Sequence, residues 1–530
     1  MTTSTQLKNN RLEIVLLAII VLFVGLIYFV KLSTIPKGIY VDESTIAYNT
    51  YSIFHTGKDE YGKAFPVLFR LLGSYTPGLY IYTSIPIVAL FGMEISVFRS
   101  ISAVSVLVSI LFFYLLTREM KLFKSRLSYY MVLVFYAIVP WLVFNARLGY
   151  EVTLAYTLFN VGLYFFYRAL KNANNLIWAV FCVSLATYTA HTQRYLLPIF
   201  LGAYFFIYRK ELLIKRNFKS LRRFSIWLLV LMIPNMLLAV TPAFWVKNAR
   251  LTAQPPYDIV KNILVQLMMY LSPKSLFFKM PDIDLQHTVP EISVAYDWMV
   301  VPFLLGLYEI VRARKLQKYK FLILLFVVTV LPAAFSGQFI SVQRLLPFLL
   351  PLMLIIGVGV DKVVTRLRPL ITIFLFVAIL VYSLVMLYRS YFVLFPLERF
   401  EAWNYGYADV ANYVVSDQTN HYLIDNSRNP RAYILLLYYL RYPPKVYQGE
   451  VDKYYLNNYY NSPGPVFDNR FGNVEVRSLN WEADPLVDQV IIGDSLTVSE
   501  GQAIEHGLKG IYDIDYQDQT LFKAFKTSVE

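Results

Sequence analysis

Long apolar runs separated by short basic segments dominate the first 391 residues of this chain. A helix needs roughly 20 apolar residues to cross a hydrocarbon core about 30 Å thick. By this measure the sequence predicts eleven transmembrane helices, near residues 12–31, 95–117, 128–145, 151–169, 176–191, 194–208, 224–244, 296–311, 321–336, 341–361 and 369–391. No small-residue cleavage site follows the first run, so we expect a retained span and not a cleaved signal peptide.

Lys and Arg residues give the predicted helices an orientation. They concentrate in five connecting loops, at 118–127, 168–175, 209–223, 312–320 and 362–368. If the N-terminus is cytoplasmic, all five loops lie on the cytoplasmic side, as positively charged loops of membrane proteins usually do. We therefore expect a multi-pass plasma-membrane protein whose N-terminus is cytoplasmic.

Three long segments then lie outside the membrane, at residues 32–94, 245–295 and 392–530. In the first, residues 78–91 are apolar and aromatic but short for a span, and they predict a helix lying along the membrane surface. From residue 392 the span-length runs stop, and turn residues and acids appear. Short strand-like runs such as Val487–Ile492 alternate there with possible helices near 403–415 and 498–507.

The predicted fold is therefore an α-helical polytopic membrane domain over residues 1–391 and a small extracytoplasmic α/β domain over 392–530. Of the 530 residues, 57% are apolar and 16% are charged, against about 25% charged in soluble proteins. Residues 392–530 hold 11 basic and 19 acidic residues, so the net charge of +14 comes from the membrane part. This pattern indicates basic inner loops and excludes a nucleic-acid partner. The single cysteine, Cys182, excludes a disulfide framework.

Acidic residues lie near the outer end of the first predicted span. Asp42 and Glu43 are adjacent there and could act as a general base, hold a divalent cation, or remain solvated loop acids. Asp59 and Glu60 follow in a Gly-flanked stretch, and Tyr75 comes shortly after it. This second group could form part of a substrate site or of a turn-rich surface loop.

The second predicted outer turn carries Arg147 and Glu151, four residues apart. They could pair on one helical face, or Glu151 could face Asp42 while Arg147 binds an anion.

Three further positive or titratable side chains are expected on the outer side. Arg194, followed by Tyr195, and Arg344 run against the positive-inside bias. Both arginines could bind a phosphate or extend to the lipid headgroups. His287 in the later external loop could be a ligand contact or ordinary polar surface.

The order of these features resembles the GT-C superfamily of polytopic glycosyltransferases, in particular its protein O-mannosyltransferase/aminoarabinose-transferase-like branch. The resemblance covers most of residues 10–400. It rests on Asp42-Glu43, Gly57-x-Asp59-Glu60-x-Gly62, Pro77 with Leu79-Tyr80-Ile81-Tyr82, Phe91-Gly92 before Arg99, Arg147 with Glu151, Tyr270–Phe278, and Pro332-Ala-Ala before Arg344 and Pro347. Many relatives have Asp where this chain has Glu151.

The resemblance implies transfer of a sugar from a polyprenyl-phosphate donor to a protein, lipid or glycan acceptor on the external face. It implies Asp42 as the catalytic base, Glu43 as its support and Glu151 as a second acid. The implied substrate-binding set is Arg147, Arg194, Tyr195, His287, Arg344, Asp59, Glu60 and Tyr75. Family members differ in metal use, so a divalent cation on Asp42 and Glu151 stays open.

Other function classes stay open at this point. An oligosaccharide ligase or oligosaccharyltransferase of the same superfamily would transfer a preassembled glycan. A transporter or lipid flippase would place its polar groups near the bilayer midplane, whereas the charges here cluster at the outer rim. A non-catalytic envelope protein would not need eleven spans for anchoring.

Overall fold

The computed structural model describes residues 2–248, 254–280, 285–313, 316–335, 341–464 and 468–528, without the side chains of residues 2–12, 248 and 316. Its contacts divide the chain into two compact units. The first, which we call the helical unit, comprises Met1–Ile35, Phe98–Ala239 and Lys247–Glu398. The second, which we call the mixed unit, comprises Pro36–Val97, Val240–Val246 and Arg399–Glu530.

Helices make up the helical unit. Its α-helices are Thr2–Phe29, Ile95–Glu119, Arg126–Ile138, Pro140–Ala146, Glu151–Ala169, Leu176–Thr187, His191–Ile207, Arg209–Leu212, Phe218–Leu238, Pro256–Leu271, Val300–Arg312, Lys320–Ala334, Val342–Leu345, Leu349–Val364, Pro369–Leu387 and Phe395–Glu398. Short 3₁₀ turns occupy Ala173–Asn175, Lys215–Asn217, Val246–Asn248, Asp297–Met299, Leu316–Tyr319 and Leu346–Phe348, and π-helical turns occupy Lys274–Phe278 and Tyr388–Leu394.

A helix lies at each of the eleven positions predicted as spans. Among the described residues, five helices are long and apolar enough to cross a membrane: Ile95–Glu119, Lys215–Leu238, Gln317–Ala334, Val342–Val364 and Pro369–Glu398. The pair Arg126–Ile138 and Pro140–Ala146, bent by 55° at Val139, makes a sixth if it is one span. The polytopic helical class is confirmed, and the count of eleven crossings stays a prediction.

Two glycines let a pair of helices touch along their backbones. A Cβ atom added at Gly306 of helix Val300–Arg312 would lie 2.1 Å from the Ile355 carbonyl oxygen. A Cβ atom at Gly359 of helix Leu349–Val364 would lie 1.8 Å from the Pro302 carbonyl oxygen. Small residues at helix contacts are the usual device for packing helices in lipid, where no hydrophobic force draws them together.

The same unit buries a polar network between its helices. The Tyr136 hydroxyl lies 3.0 Å from Ser109 Oγ and 2.8 Å from the Tyr156 hydroxyl. Asn160 Nδ2 donates to Ser109 Oγ over 2.8 Å. Hydroxyl and amide groups that hydrogen-bond to one another in this way hold helices together inside a membrane.

The mixed unit combines helices with two sheets. Its α-helices are Val41–Thr56, Leu79–Phe91, Pro242–Trp245, Tyr407–Ser416, Ala432–Tyr439, Pro444–Glu450, Lys453–Asn457 and Glu500–Glu505, with 3₁₀ turns at Glu401–Trp403 and Asp484–Leu486. Its strands are β1 (Leu68–Leu71), β2 (Ser74–Pro77), β3 (Tyr422–Asp425), β4 (Asn469–Phe471), β5 (Val474–Arg477), β6 (Val490–Asp494), β7 (Lys509–Tyr516) and β8 (Gln519–Lys526).

The larger sheet has six strands in the order β4-β5-β3-β6-β8-β7. Strand β3 runs parallel to β5 and β6, and the remaining pairs are antiparallel. The smaller sheet is the hairpin β1–β2, whose turn residues Leu72 and Gly73 have φ angles of 52° and 76°. Positive φ at both central residues matches the twist of a two-residue hairpin, and Gly73 adopts it without steric cost.

The C-terminal α/β fold that composition predicts is present, although its elements are displaced by a few residues. Strand β6 begins at Val490 and not at Val487, and the predicted helices appear as Tyr407–Ser416 and Glu500–Glu505. The predicted short helix in the first external segment is also present, as Leu79–Phe91. The sequence did not indicate that residues 36–97 pack with the C-terminal region, as they do in the mixed unit.

Replacing Gly359 by Ala should destabilise the protein, because the new methyl group would meet the Pro302 carbonyl oxygen at 1.8 Å. Overpacking of this kind costs about 1–3 kcal/mol. Thermal unfolding of the full-length protein in detergent measures the effect. The matched control is Gly202→Ala in helix His191–Ile207, where an added Cβ has nothing within 4 Å. Equal melting temperatures for the two variants would contradict this account of the helix contact.

Candidate functional site

Asp42 and Glu43 belong to the first turn of helix Val41–Thr56, and the structure gives them different surroundings. Glu43 is fully buried, and its carboxylate accepts a hydrogen bond from the Tyr40 backbone N–H over 3.1 Å. The first backbone N–H groups of a helix have no intrahelical partner, so an acid at this position stabilises the helix start. Glu43 is therefore fixed in place by its own helix.

Asp42, one residue earlier, is only partly buried. Its carboxylate has no hydrogen bond or ion pair within the described part of the chain. The helix N-terminus carries partial positive charge and favours a negative group at this position. Of the two neighbouring acids, Asp42 is thus the one with oxygen atoms available to a substrate.

Asp59, Glu60 and Tyr75 come together in a buried cluster of the mixed unit. The Asp59 carboxylate accepts hydrogen bonds from the N–H groups of Tyr61, over 3.0 Å, and Lys63, over 2.8 Å. It also accepts one from the Tyr459 hydroxyl, and the Tyr75 hydroxyl donates to the Tyr459 carbonyl. The predicted acids of the first external segment are therefore joined to a tyrosine of the C-terminal region.

Burial changes the acidity of both carboxyl groups in this cluster, and both are 0% exposed. Burial raises the pKa of Asp59 to about 6, with hydrogen bonds from Tyr459, Lys63 and Tyr61 acting in the opposite direction. Burial and the neighbouring Asp59 charge raise the pKa of Glu60 to about 8. A carboxyl group removed from water is easier to keep neutral than charged, which is the cause of both shifts.

Arg147 is fully buried and binds the end of the first helix. Its Nη1 donates to the carbonyl oxygens of Ile27 and Tyr28, both over 2.8 Å. Its Nη2 donates to Lys31 over 3.3 Å and to Ile35 over 3.2 Å. A helix C-terminus presents carbonyl groups without intrahelical partners, and a guanidinium group satisfies several at once. These four bonds give Arg147 a structural task.

Arg194, Tyr195 and Arg344 are neighbours in the helical unit. Arg194 Nε donates to the Thr187 carbonyl over 3.3 Å, and its side chain is buried. Both arginines interact electrostatically with the Tyr195 phenol. Arg344 also interacts with Tyr270, whose hydroxyl accepts the Ser341 N–H over 2.7 Å. The structure thus brings two guanidinium groups and two phenols, Tyr195 and Tyr270, into one region.

Glu151 and His287 also belong to the helical unit. Glu151 is the first residue of helix Glu151–Ala169 and is buried. His287 lines a small cavity of about 20 Å³ together with Trp141, Phe144 and Val342. Val342 immediately precedes Gln343-Arg344, so this cavity adjoins the segment that carries the second arginine.

Sequence reasoning missed three residues of the buried acid cluster. Arg70 is 1% exposed and donates to the carbonyl oxygens of Ser462, over 2.7 Å, and Gly464, over 3.2 Å. Its signal was present, because a lone arginine within an apolar external strand opposes the positive-inside bias. Asn49 and Tyr459 carried no comparable signal.

Over the described ranges, no three or more His, Cys, Asp or Glu side chains are grouped so that they could hold a metal ion.

No protein-family model matches the chain, and no curated protein matches it. Three solved structures are similar in fold. ArnT from Cupriavidus metallidurans bound to undecaprenyl phosphate is 13% identical, covers 97% of this chain and 98% of its own, and has a TM-score of 0.54. Its apo form is 14% identical, with the same coverage and a TM-score of 0.51. The oligosaccharyltransferase AglB from Archaeoglobus fulgidus, in complex with an inhibitory peptide and a dolichol-phosphate, is 10% identical, covers 98% of this chain and 74% of its own, and has a TM-score of 0.47.

The ArnT match extends over nearly the whole chain, including both units. ArnT is a member of the GT-C superfamily. The GT-C-like fold that the motifs implied is thereby confirmed.

Proposed function

We propose that this protein is a membrane glycosyltransferase that moves a sugar from a polyprenyl-phosphate donor to an acceptor on the external face of the plasma membrane. Asp42 is the catalytic base in this proposal. The fold shared with ArnT supports the class of enzyme. The availability of the Asp42 carboxylate, beside a neighbouring acid that is already hydrogen-bonded, supports the choice of base.

In the proposed reaction an acceptor hydroxyl or amine attacks the anomeric carbon of the sugar. Asp42 takes the proton of that group, the new glycosidic bond forms, and the bond from the anomeric carbon to the phosphate oxygen breaks. The polyprenyl phosphate leaves with the electron pair. Direct displacement inverts the anomeric centre and needs no covalent enzyme intermediate, so a single base is sufficient.

The leaving phosphate needs positive charge around it. Arg194 and Arg344, which share Tyr195 as a neighbour, are the proposed contacts, because a planar guanidinium group donates two parallel hydrogen bonds to a phosphate. His287, on the cavity wall close in sequence to Tyr270, is a further proposed contact. Use of a divalent cation stays a prediction from the sequence.

The acceptor is not specified by these residues, so the test of function follows the donor. The full-length protein is incubated with a panel of radiolabelled undecaprenyl-phosphate pentoses and hexoses, and with acceptor membranes from source cells that lack the protein. Loss of label from the donor, by transfer or by hydrolysis, supports the proposal. Label that crosses the bilayer unchanged indicates a transporter, and an inert donor in every arm contradicts an enzyme of this class. Parallel reactions with a pyrophosphate-linked donor, and with EDTA, test the carrier and the cation.

Replacing Asp42 by Asn should lower kcat by roughly 10²–10⁴-fold, the usual contribution of a general base. The exchange keeps the size of the side chain, so expression and donor KM should not change, and the free energy of unfolding should fall by no more than about 1 kcal/mol, the value of one charge at a helix N-terminus. Asp518→Asn, at an exposed turn between β7 and β8, is the matched control and should transfer sugar normally. Normal turnover by the Asp42 variant would remove this residue from the mechanism.

Replacing Arg344 by Gln should raise the donor KM by roughly 10- to 100-fold, because one charge-assisted hydrogen bond to phosphate is worth about 1.5–3 kcal/mol. Arg312→Gln, in the last turn of helix Val300–Arg312 on the predicted inner side, serves as the control. Initial rates at varied donor concentration give the donor KM of the Arg344 variant and of the control. An unchanged KM for the Arg344 variant would exclude this arginine from the donor site.

A further inference from the structure

Helix Val41–Thr56, which carries Asp42, is held by the C-terminal region along one face. The Tyr48 hydroxyl donates to the Tyr442 carbonyl over 3.2 Å. Gln448 Nε2 donates to Ser52 Oγ over 3.0 Å and to Thr56 Oγ1 over 2.9 Å. Residues 48, 52 and 56 lie four apart and therefore share a helical face. The helix that carries Asp42 is thus attached to the C-terminal region at three of its residues.

Glu60 links the same helix to the buried acid cluster. Asn49 Nδ2 donates to Glu60 Oε1 over 3.3 Å, and the Glu60 N–H donates to Asn49 Oδ1 over 3.0 Å. The other carboxyl oxygen, Oε2, is buried and has no hydrogen-bond partner. The preceding residue, Asp59, binds the C-terminal region. Its carboxylate accepts a hydrogen bond from the Tyr459 hydroxyl, and its backbone carbonyl oxygen accepts one from Gln448 Nε2 over 2.9 Å.

We propose that Glu60 is a positioning residue, which as a neutral carboxylic acid holds Asn49 of the Asp42 helix against the loop that Asp59 joins to the C-terminal region, and which loosens this link when it ionises. This inference goes beyond the proposed function and relies on it only for the role of Asp42. It also departs from the sequence-based expectation that Glu60 contacts substrate, because a side chain that is 0% exposed cannot reach one in this conformation.

Burial and the neighbouring Asp59 carboxylate favour the neutral form of Glu60, whereas the Asn49 hydrogen bond and the Arg70 charge favour the ionised form. The titratable and charged groups that face Glu60 come from five elements. They are Asp59 and Tyr61 of its own loop, Tyr48 of helix Val41–Thr56, Arg70 of β1, Tyr433 of helix Ala432–Tyr439, and Tyr447 of helix Pro444–Glu450. Arg70 is the single cation in this set. Its Nη atoms are engaged by the Ser462 and Gly464 carbonyls, and its guanidinium lies 4.7 Å from the centre of the Tyr455 ring.

The groups that face Asp59 are Tyr459, Lys63, Tyr61, Tyr82 and Tyr460. Hydrogen bonds from Tyr459, Lys63 and Tyr61 favour the charged form of Asp59, and that charge opposes ionisation of Glu60. A buried charge without a close partner is unfavourable, so ionisation of Glu60 beside Asp59 must weaken the packing around both.

The direction of the pH dependence follows from linkage. The pKa of Glu60 is raised by burial from 4.5 to about 8, so the folded protein keeps a proton that the unfolded chain releases. The stabilisation from this group is complete below about pH 4.5 and is lost as the pH rises to about 8. Asp59 acts in the same direction, between its ordinary pKa of 3.8 and about 6.

The test is Glu60→Gln in the full-length protein, since Gln has the shape of the protonated acid and cannot ionise. Thermal unfolding is followed from pH 5 to pH 9. The melting temperature of Glu60→Gln minus that of wild type should increase over this range by on the order of 5–10 °C. Glu505→Gln, at an exposed position, should follow wild type at every pH.

Three outcomes would overturn the proposal: pH profiles of wild type and Glu60→Gln that run in parallel, failure of Glu60→Gln to fold, or a Glu60→Gln protein less stable than wild type at pH 9. Asn49→Leu provides a second test, because it removes the side chain of helix Val41–Thr56 that hydrogen-bonds to Glu60. Because the Asn49 hydrogen bond favours the ionised carboxyl group, its loss should make the melting temperature more dependent on pH while the carboxyl group stays in place.

Activity separates positioning from mere stability. With an active donor, wild-type kcat should decrease about 10-fold between pH 7 and pH 9, with donor KM unchanged, and Glu60→Gln should retain its kcat. The unfolding experiment needs no donor, so it still tests the role of Glu60 if the proposed transferase activity is not found. Transfer by wild type together with an unaltered kcat profile in Glu60→Gln would contradict the positioning role alone.

Discussion

The hydrogen bond from the Tyr40 backbone N–H to the Glu43 carboxylate determines which of two adjacent acids is available for chemistry. A helix start needs acceptors for its unpaired N–H groups, and Glu43 supplies one from a fully buried position. Asp42 is then left at the partly open side of the same turn, where the helix dipole favours its charge. The proposed mechanism depends on this division between a fixed acid and an available one.

Buried charge is the second constraint on the protein, and it is met differently in the two units. In the helical unit Arg147 satisfies four carbonyl groups at the end of the first helix, so a cation is bound where backbone dipoles favour it. In the mixed unit Glu60 has no such partner for Oε2, which is why its neutral form is favoured. The buried cation is therefore matched by backbone acceptors, whereas the buried acid stabilises the fold only while it is protonated.

Much of the fold could be predicted from the sequence, because helix positions follow from local apolar runs. Helices appear where all eleven runs occur, and the α/β character of the C-terminal region follows from its change in composition. The contacts of particular side chains could not be predicted. Asp59 meets Tyr459, 400 residues further along the chain, and Arg147 meets carbonyl groups 112–120 residues earlier. Residue type and spacing marked Asp42, Glu43, Asp59 and Glu60 as notable, yet only tertiary structure separates the partly buried acid, Asp42, from the three buried ones.

The most direct measurement of the central claim is the accessibility of position 42 with and without the lipid carrier. Cys182 is the single native cysteine, so Asp42→Cys in a Cys182→Ser background gives one reporter thiol at this site. The account predicts that a membrane-impermeant maleimide labels this thiol from the external face of sealed vesicles, and that undecaprenyl phosphate slows the labelling. Labelling only from the cytoplasmic face, or at a rate that the lipid does not change, would contradict a catalytic site at Asp42.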